Sequence, residues 1–326
     1  MIQLLKDRKV LVTGGAGFIG SNLVESLLAS GNKVTCLDNF STGKRKNIAG
    51  FLDHPAFQLI EGDIRNYDDC LKAVSGIEFV FHQADLGSVP RSIKDPVATT
   101  DVNIGGFVKM LFASKESGVR RFIYAASSST YGDNQEIPKT EDRIGKALSP
   151  YGITKYADEL FADNFSGIYD IEVIGLRYFN VFGRRQDPEG AYAAVVPKFV
   201  SALLNHQQPT IYGDGSVSRD YTYIDNVIQA NHLAAIAGKD AANKVYNIAH
   251  GDSTTLIQLF EHIRNIIALT DKTVAGISPV FGPPRLGDIR HSLASVEKAG
   301  EYLGYKPGLN VVEGLAATID WFRNEI

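Results

Sequence analysis

The stretch "VTGGAGFIGSNLVESLL" restricts the fold of this chain more than any other part of the sequence. It follows a β-branched run and opens a helical pattern, so that Gly14, Gly17 and Gly20 lie at a strand–helix turn. Glycine lets the backbone approach a pyrophosphate closely, and the free N–H groups at the helix start favour its negative charge. The motif predicts a dinucleotide-binding turn; a tight turn without a ligand is the alternative.

Short β-branched runs alternate with helical patterns through the first 180 residues. We predict strands at 9–14, 33–38, 57–63, 79–84, 121–127 and 172–178, and helices near 17–30, 66–75, 98–118 and 150–169. Most of the runs lack polar alternation, as is typical of parallel strands buried on both faces. The pattern predicts an α/β fold with a Rossmann-type, doubly wound parallel sheet and right-handed crossovers. The irregular remainder predicts a smaller C-terminal domain packed on the first.

Composition narrows the classes of function. The 326 residues are 44% hydrophobic, which is enough for a substantial core, and the formal net charge is -4. This charge does not favour nucleic-acid binding, and no run approaches the ~18 apolar residues of a membrane span. The two cysteines are too few for a disulfide framework, and the seven histidines are not spaced as metal ligands. We expect a cytoplasmic protein without signal peptide, metal, membrane or nucleic-acid partner.

Acidic residues at predicted strand ends refine the dinucleotide prediction. An acid that closes the second strand accepts hydrogen bonds from the adenosine ribose and repels a 2′-phosphate, so Asp38 favours NAD over NADP. Lys44, Arg45 and Lys46 follow closely and weaken this preference unless they belong to a solvated loop. Asp63, after the third strand, either caps the adenine or belongs to an ordinary turn.

The stretch "SPYGITKY" places Tyr151 and Lys155 on one face of a predicted helix. This spacing alone is common, but "AASSSTYG" adds Ser127 at a strand end, where open α/β sheets bind ligands. A tyrosine with the ordinary pKa of about 10 is a poor base, and a nearby Lys ammonium and the positive nicotinamide both favour its phenolate. We therefore predict that Ser127 orients a substrate hydroxyl, that Tyr151 exchanges its proton, and that Lys155 lowers the pKa of Tyr151.

These motifs resemble those of the extended short-chain dehydrogenase/reductase family. Within it, the chain is similar to nucleotide-sugar 4-epimerases, especially bacterial UDP-N-acetylglucosamine (UDP-GlcNAc) 4-epimerases of surface-polysaccharide pathways. The resemblance covers nearly the whole chain and rests on "TGGAGFIG", "LDNFSTG", "GDIRN", "HQADLGSVPRSI", "SSSTYGD", "SPYGITK", "LRYFNVFGRRQDP", "GDGSVSRDY" and "GDIRHSLA". It implies an NAD-binding Rossmann domain, 1–180 with about 220–250, and a UDP-sugar-binding domain, 181–219 and 251–326.

The resemblance also implies residue roles, with Ser127, Tyr151 and Lys155 as the catalytic trio. The cofactor set that it implies is Gly14, Gly17, Phe18, Ile19, Gly20, Asp38, Asn39, Thr42, Gly43, Asp63, Ile64, Gln83, Ala84, Tyr151, Lys155 and Tyr178. The substrate set is Gly87, Ser88, Ser127, Ser128, Asn180, Val195, Tyr212, Arg219, Arg285, Asp288 and Ser292. In the family pattern Asn180 contacts the diphosphate or sugar, Arg219 and Arg285 grip the diphosphate, Asp288 holds the UDP ribose and Tyr212 lies against uracil.

The activity implied is interconversion of UDP-GlcNAc and UDP-GalNAc by NAD-dependent oxidation at sugar C4, rotation of the 4-keto sugar and re-reduction. Epimerisation of the corresponding uronic acids or of UDP-Glc and UDP-Gal is the alternative. A dehydratase is less favoured, because Ser128 and Ser129 occupy the positions of its acid pair. A UDP-sugar acid decarboxylase usually carries a glutamate in this stretch, and a non-catalytic dinucleotide sensor would lose Tyr151 or Lys155.

Two further residues and the oligomeric state of the protein are also predicted. Ser292 stands where epimerases restricted to UDP-glucose and UDP-galactose carry a tyrosine, so it predicts room for an N-acetyl group. Asp85 departs from the small apolar residue that the family pattern places beside the cofactor; it either weakens phosphate binding or forms a salt bridge with a neighbour. A homodimer through the helices near 98–118 and 150–169 is implied.

Overall fold

A computed structural model describes residues 4–190, 193–283 and 291–325. Its strands are β1 (Lys9–Thr13), β2 (Lys33–Asp38), β3 (Phe57–Glu61), β4 (Phe79–His82), β5 (Arg121–Ser127), β6 (Glu172–Tyr178), β7 (Val181–Phe182), β8 (Thr210–Tyr212), β9 (Ser218–Arg219), β10 (Thr222–Tyr223), β11 (Lys244–Ile248), β12 (Thr254–Thr255) and β13 (Val280–Gly282). Its α-helices are α1 (Phe18–Ala29), α2 (Tyr67–Val74), α3 (Val89–Lys94), α4 (Pro96–Thr100), α5 (Phe107–Glu116), α6 (Pro150–Ile168), α7 (Val195–Leu204), α8 (Ile224–Ile236), α9 (Leu256–Ala268), α10 (Glu297–Leu303) and α11 (Val311–Glu325).

A seven-stranded sheet organises the molecule, with the order β11-β6-β5-β4-β1-β2-β3. All six pairings in it are parallel. The strand order reverses direction between β1 and β4, so the loops after these two strands diverge and leave a crevice at the carboxyl edge of the sheet. The doubly wound α/β prediction is confirmed.

The sheet is buried on both faces because its strands alternate apolar side chains between two cores. Val10 and Val12 of β1 point into one core together with Leu23 of α1. Leu11 points into the other, together with Met110 of α5. Both faces of β1 are therefore apolar, which explains why its sequence shows no polar alternation.

The structure differs from the sequence prediction in one predicted helix and in several elements that were not predicted, among them β11. The helix expected at 98–118 is divided: α4 is followed by a π-helical segment, Asp101–Gly106, before α5 begins. A Cβ on Gly106 would lie 2.5 Å from the Ile64 Cδ1 atom, so this segment packs closer to the sheet than a regular helix with side chains allows. The strand β11 was not predicted at all, because its short run "KVYNI" lies in the part that reads as irregular.

The C-terminal part is tied into the main sheet. The strand β11 pairs with β6, and three two-stranded sheets, β10–β7, β12–β9 and β13–β8, lie outside the main sheet. Arg121, at the start of β5, is fully buried; it donates to the carbonyl oxygens of Ala234, Ala235 and Ala237 at the end of α8 and pairs with Glu172 at 2.6 Å. Among the described helices, none is long and apolar enough to cross a membrane.

Candidate active site

A cleft of about 610 Å³ opens at the carboxyl edge of the sheet. Its lining includes the turn after β1, the end of β2, the loop after β4, the end of β5 and the start of α6. The predicted cofactor residues that line it are Gly14, Gly17, Phe18, Ile19, Gly20, Asp38, Asn39, Thr42, Asp63, Ile64, Gln83, Ala84, Tyr151 and Tyr178. Two others lie directly behind this lining: Lys155 is buried, and a Cβ on Gly43 would lie 2.9 Å from the Asp38 carboxylate.

The glycine turn has the shape that a pyrophosphate requires. Gly14 has φ +66°, and a Cβ there would lie 2.8 Å from the Ala84 backbone. A Cβ on Gly20 would lie 2.1 Å from the Gly14 carbonyl oxygen. Gly17 caps α1 without any side-chain hydrogen bond, so the first N–H groups of α1 are left for a ligand. These residues fit a dinucleotide.

Asp38 closes β2 and lines the cleft. Its Oδ2 accepts from the Ala16 N–H and its Oδ1 from the Phe40 N–H, both at 2.8 Å, while burial raises its pKa. Lys44 lies 2.6 Å from Asp187, and Arg45 lies 2.6 Å from Glu61. Two of the three cations that weakened the prediction of NAD are thus paired with acids, and the third, Lys46, is exposed.

Asp63 belongs to a polar cluster after β3. Arg65 donates to Asp63 at 2.7 Å and lowers the pKa of this carboxyl to about 2, and Asn39 Nδ2 donates to the same carboxylate at 2.9 Å. Both Asp63 and Asn39 line the cleft. The carboxylate is held in place but is not enclosed.

The predicted catalytic trio meets where β5 ends and α6 begins. The helix begins sharply, because Pro150 occupies its first turn and Ser149 caps it by accepting from the Gly152 N–H. Lys155 Nζ lies 6.0 Å from the centroid of the Tyr151 ring and donates to the Ala125 carbonyl oxygen of β5 at 3.0 Å. Ser127 lines the cleft beside Tyr151.

The pKa of Tyr151 is subject to opposing effects within the chain. Burial, followed by the charge of Asp85, raises the pKa of Tyr151 to about 12. The charge of Lys155 and a hydrogen bond with Ser127 act in the opposite direction, as predicted, but they do not prevail. The predicted lowering relied on the positive nicotinamide as well as on Lys155, so it stays a prediction for the cofactor-bound site; among the groups of the chain alone, burial and Asp85 outweigh Lys155.

Asp85 forms a salt bridge, the second of the two alternatives that the sequence left open. Its Oδ2 lies 2.9 Å from Lys155 Nζ, and Asp158 Oδ2 lies 3.7 Å from the same atom. Although burial disfavours the ammonium, Asp85, Tyr151 and Asp158 together hold the pKa of Lys155 above its ordinary value. Lys155 is therefore a charged group at neutral pH.

The predicted substrate residues fall into three groups. Gly87, Ser88, Ser127, Ser128 and Asn180 line the cleft, and Val195 begins α7 directly after Ala194 of the lining. Tyr212, Arg219 and Ser292 are not part of the cleft lining within the described residues; Tyr212 ends β8, Arg219 ends β9, and the Ser292 N–H donates to the Ser218 carbonyl oxygen at 3.2 Å. Arg285 and Asp288 lie outside the described residues.

Sequence reasoning missed several polar residues behind the trio. Asn103, in the π-helical segment, accepts from the Leu86 N–H at 2.8 Å and donates to Thr154 Oγ1 at 3.1 Å. Asp158 follows Lys155 by three positions on α6. Nothing in the local pattern around Asn103 marks it, whereas the spacing of Asp158 from Lys155 is visible in the sequence. Across the described residues, no cluster of three or more His, Cys, Asp or Glu side chains that could hold a metal ion is found.

Comparisons with known proteins agree with this geometry. Residues 10–249 match the model of the NAD dependent epimerase/dehydratase family. A UDP-glucose 4-epimerase of Mycolicibacterium smegmatis is 36% identical over 319 residues, covering 97% of this chain and 99% of that protein.

Two solved structures are similar over nearly their whole length. A UDP-N-acetylglucosamine 4-epimerase from Methanobrevibacter ruminantium M1, in complex with UDP-N-acetylmuramic acid, has a TM-score of 0.92 and 38% identity, covering 99% of this chain and 100% of that one. A UDP-glucuronic acid 4-epimerase from Bacillus cereus, in complex with UDP-glucuronic acid and NAD, has a TM-score of 0.87 and 31% identity, covering 98% and 100%.

Proposed function

The chain belongs to the NAD dependent epimerase/dehydratase family as an NAD-dependent UDP-sugar 4-epimerase, and on this premise we propose that it interconverts UDP-GlcNAc and UDP-GalNAc. The observation that carries the chemistry is the convergence of Ser127, Tyr151 and Lys155 on the cleft that the glycine turn borders. The acetylated substrate is supported by the Methanobrevibacter structure and by the serine at position 292.

The residues of this chain divide the work of proton exchange. Tyr151, in its ionised phenolate form, accepts the proton of the sugar 4-hydroxyl and returns it to that oxygen after the 4-keto sugar has rotated. Ser127 orients that hydroxyl from the end of β5. Lys155 stabilises the phenolate because it is charged and buried next to the ring. NAD, when bound, supplies a hydride acceptor and donor for C4; the glycine turn, Asp38 and Asp63 would hold it.

Epimerisation also requires the sugar to present both of its faces, in turn, to the cofactor. We assign Arg219 and Arg285 to the diphosphate, because an arginine fork matches phosphate oxygens. The nucleotide then stays anchored while the 4-keto sugar rotates. Asn180 lines the cleft, and its Nδ2 donates to the Asp220 carbonyl oxygen next to Arg219, which supports a common substrate side for the two residues.

A dehydratase is a weaker candidate. Elimination of water needs a positioned acid and base beside the trio. Ser128 and Ser129 line the cleft at the positions where the dehydratases of the family carry an acid pair. A hydroxyl with an ordinary pKa does not transfer protons in this way, so these serines favour a reaction that ends in re-reduction.

The substrate assignment is tested with the purified protein and three nucleotide sugars. UDP-GlcNAc, UDP-Glc and the uronic acid of UDP-GlcNAc are incubated separately, and proton NMR gives the C4 configuration. We expect both C4 epimers, axial and equatorial, to form from UDP-GlcNAc. We also expect kcat/KM to be higher for UDP-GlcNAc than for the other two nucleotide sugars. Preferred turnover of the uronic acid or of UDP-Glc would replace the acetylated neutral sugar in the assignment, and a 4-keto-6-deoxy product would indicate a dehydratase.

We further propose that the protein is cytoplasmic and forms a homodimer. We also propose that its chain is divided into two functional segments. On α6, Ile153, Tyr156 and Leu160 form an exposed apolar row at i, i+3 and i+7. Ile93 of α3 and Val97 of α4 extend it, since α3 and α4 pack against α6. The row is on α3, α4 and α6, and α5 carries no exposed large apolar residue. The NAD-binding and UDP-sugar-binding segments keep the bounds proposed from the sequence.

A further inference from the structure

Asp85 lies in the loop after β4 and faces the cleft. Its side chain is 20% exposed, whereas that of its partner Lys155 is 4% exposed. The 2.9 Å contact therefore joins a carboxylate at the cleft wall to an ammonium behind it. No ligand role is needed to explain the position of Lys155 Nζ, because Asp85 and the Ala125 carbonyl oxygen already hold it.

The surrounding backbone fixes this contact. The Leu86 N–H, directly after Asp85, donates to Asn103 Oδ1, and Asn103 Nδ2 donates to Thr154 Oγ1 on α6. Thr154 Oγ1 in turn donates to the Tyr151 carbonyl oxygen at 2.9 Å. A Cβ on Gly87 would lie 3.0 Å from Asp85 Oδ1, so the glycine leaves room for the carboxylate. The loop and α6 thus form one connected unit.

The other groups around Lys155 do not neutralise it to the same degree. The titratable and charged groups that face the pair are Asp85 from the loop, His82 from β4, Asp158 and Glu159 from α6, and Arg177 and Tyr178 from β6. Burial lowers the pKa of His82 to about 3 and raises that of Tyr178 to about 12, so both are neutral at pH 7. Burial also raises the pKa of Asp158, whose Oδ2 lies farther from Lys155 Nζ, at 3.7 Å, than Asp85 Oδ2 does, at 2.9 Å. Glu159 and Arg177 pair with each other at 2.7 Å.

We propose that Asp85 is a positioning residue of the proton-transfer centre: its carboxylate fixes the Lys155 ammonium and offsets the positive charge that Lys155 presents to the Tyr151 hydroxyl. Tyr151 is then a weaker acid and, once ionised, a stronger base toward the sugar hydroxyl. The inference rests on the proposed function, because it concerns the residue to which proton exchange is assigned.

The test uses Asp85→Asn, which keeps the shape of the side chain and removes its charge. The phenolate absorbance of Tyr151 is isolated by subtracting the titration of the matching protein with Tyr151→Phe. At an effective dielectric of about 20, one charge shifts a pKa by about one unit at about 12 Å and by more at shorter range, so we expect a shift of about one pH unit or more. We expect about tenfold more Tyr151 phenolate at about pH 10 in Asp85→Asn than in the wild type, and an acidic limb of kcat that moves to lower pH by about one unit.

Three further variants make the result specific. Asp85→Ala is expected to give the same shift, and Asp85→Glu, which restores the charge, is expected to return the titration toward the wild type. Asp53→Asn removes an exposed carboxylate outside the cleft and is expected to change neither readout. All proteins are compared as purified, with folding checked by circular dichroism.

Two results would overturn the proposal. One is an unchanged phenolate titration in both Asp85→Asn and Asp85→Ala. The other is a loss of activity with an unmoved acidic limb, which would show that Asp85 acts through packing alone. The phenolate titration does not depend on a substrate, so it decides the role of Asp85 even if none of the UDP-sugars is epimerised.

Discussion

We propose that the reaction depends on Tyr151, because it is the buried phenol at the cleft beside Ser127 and Lys155. Replacing it with phenylalanine removes the proton-exchanging group and leaves the volume nearly unchanged. We expect a loss of kcat of roughly 10²-fold or more, with binding of NAD and UDP-sugar retained. Tyr156→Phe, one turn further along α6, is the matched control and is expected to keep its activity. Turnover of Tyr151→Phe near the wild-type rate would contradict the assignment.

Ser292 is the residue on which the substrate assignment depends. It is half-buried, and its backbone lies against Ser218, next to Arg219. A tyrosine there would add bulk where we expect the N-acetyl group, and overfilling a packed site typically costs ~1–3 kcal/mol. We expect Ser292→Tyr to depress kcat/KM for UDP-GlcNAc by roughly tenfold or more and to preserve that for UDP-Glc.

The two substrates measured in both proteins provide the control for Ser292→Tyr. An equal loss on both would indicate damage to the site as a whole. A mutant that still prefers the acetylated sugar would show that Ser292 is not the size filter, and the assignment of UDP-GlcNAc would then rest on the likeness to the Methanobrevibacter enzyme alone.

At the residue scale, the sequence predicted positions but not their mutual influence. The i,i+4 spacing of Tyr151 and Lys155 determines that they share a helix face, and this could be read directly. The contact between Asp85 and Lys155 joins positions 70 residues apart. No local periodicity encodes such a contact, so the sequence could identify Asp85 as unusual without identifying its partner. It also did not predict that burial and Asp85 oppose the effect of Lys155 on the pKa of Tyr151.

At the scale of elements, the glycine turn serves both the packing of the fold and the predicted binding of the cofactor. A Cβ on Gly20 would lie 2.1 Å from the Gly14 carbonyl oxygen and 2.9 Å from the Gly15 Cα atom, both of them backbone atoms. Gly20→Ala must therefore displace the turn or the start of α1. We expect the wild-type protein to carry NAD(H) through purification, and we expect Gly20→Ala to lower the free energy of unfolding by about 1–3 kcal/mol and to remove this cofactor.

Gly167→Ala on α6 is the matched control for Gly20→Ala. Nothing lies within 4 Å of a Cβ at Gly167, so alanine there is expected to stabilise the helix by up to about 1 kcal/mol. Thermal unfolding gives the stability, and dinucleotide released on denaturation gives the cofactor content. Full NAD(H) retention in Gly20→Ala, or a wild-type protein that releases only NADP, would refute the predicted role of the turn and of Asp38.

Strands were predictable where a β-branched apolar run marks them. Six of the seven sheet strands, β1 to β6, begin at residues that the sequence predicts and end within two residues of their predicted end. The segment 98–118 was not predicted correctly, because its apolar period continues through a π-helical turn that depends on the contact of Gly106 with Ile64. Such a contact is tertiary and leaves no local signature.

At the scale of the whole molecule, the exposed apolar row on α6 indicates an assembly. Leu160 is 54% exposed and Val97 is 78% exposed, on helices that pack against each other. We expect the wild type to have twice the mass of one chain in light scattering, and Leu160→Glu to shift it toward the monomer, because a buried unpaired carboxylate costs several kcal/mol.

Leu269→Glu is the control for that shift. Leu269 is 74% exposed but follows α9, away from the row. The same change of charge there is expected to leave the mass unaltered. A monomeric wild type, or dimers that survive Leu160→Glu, would exclude this row as the interface.

The burial of Arg121 has a consequence for the folding of the chain during translation. Its guanidinium is buried in β5, yet the carbonyl groups that receive it, on Ala234, Ala235 and Ala237, lie 113 to 116 residues further along the chain. While the ribosome is still translating that interval, a closed sheet would hold a buried cation without these acceptors, which is energetically costly. We therefore expect the nascent N-terminal half not to be a finished folding unit, and its sheet to be completed only after α8 has emerged from the exit tunnel.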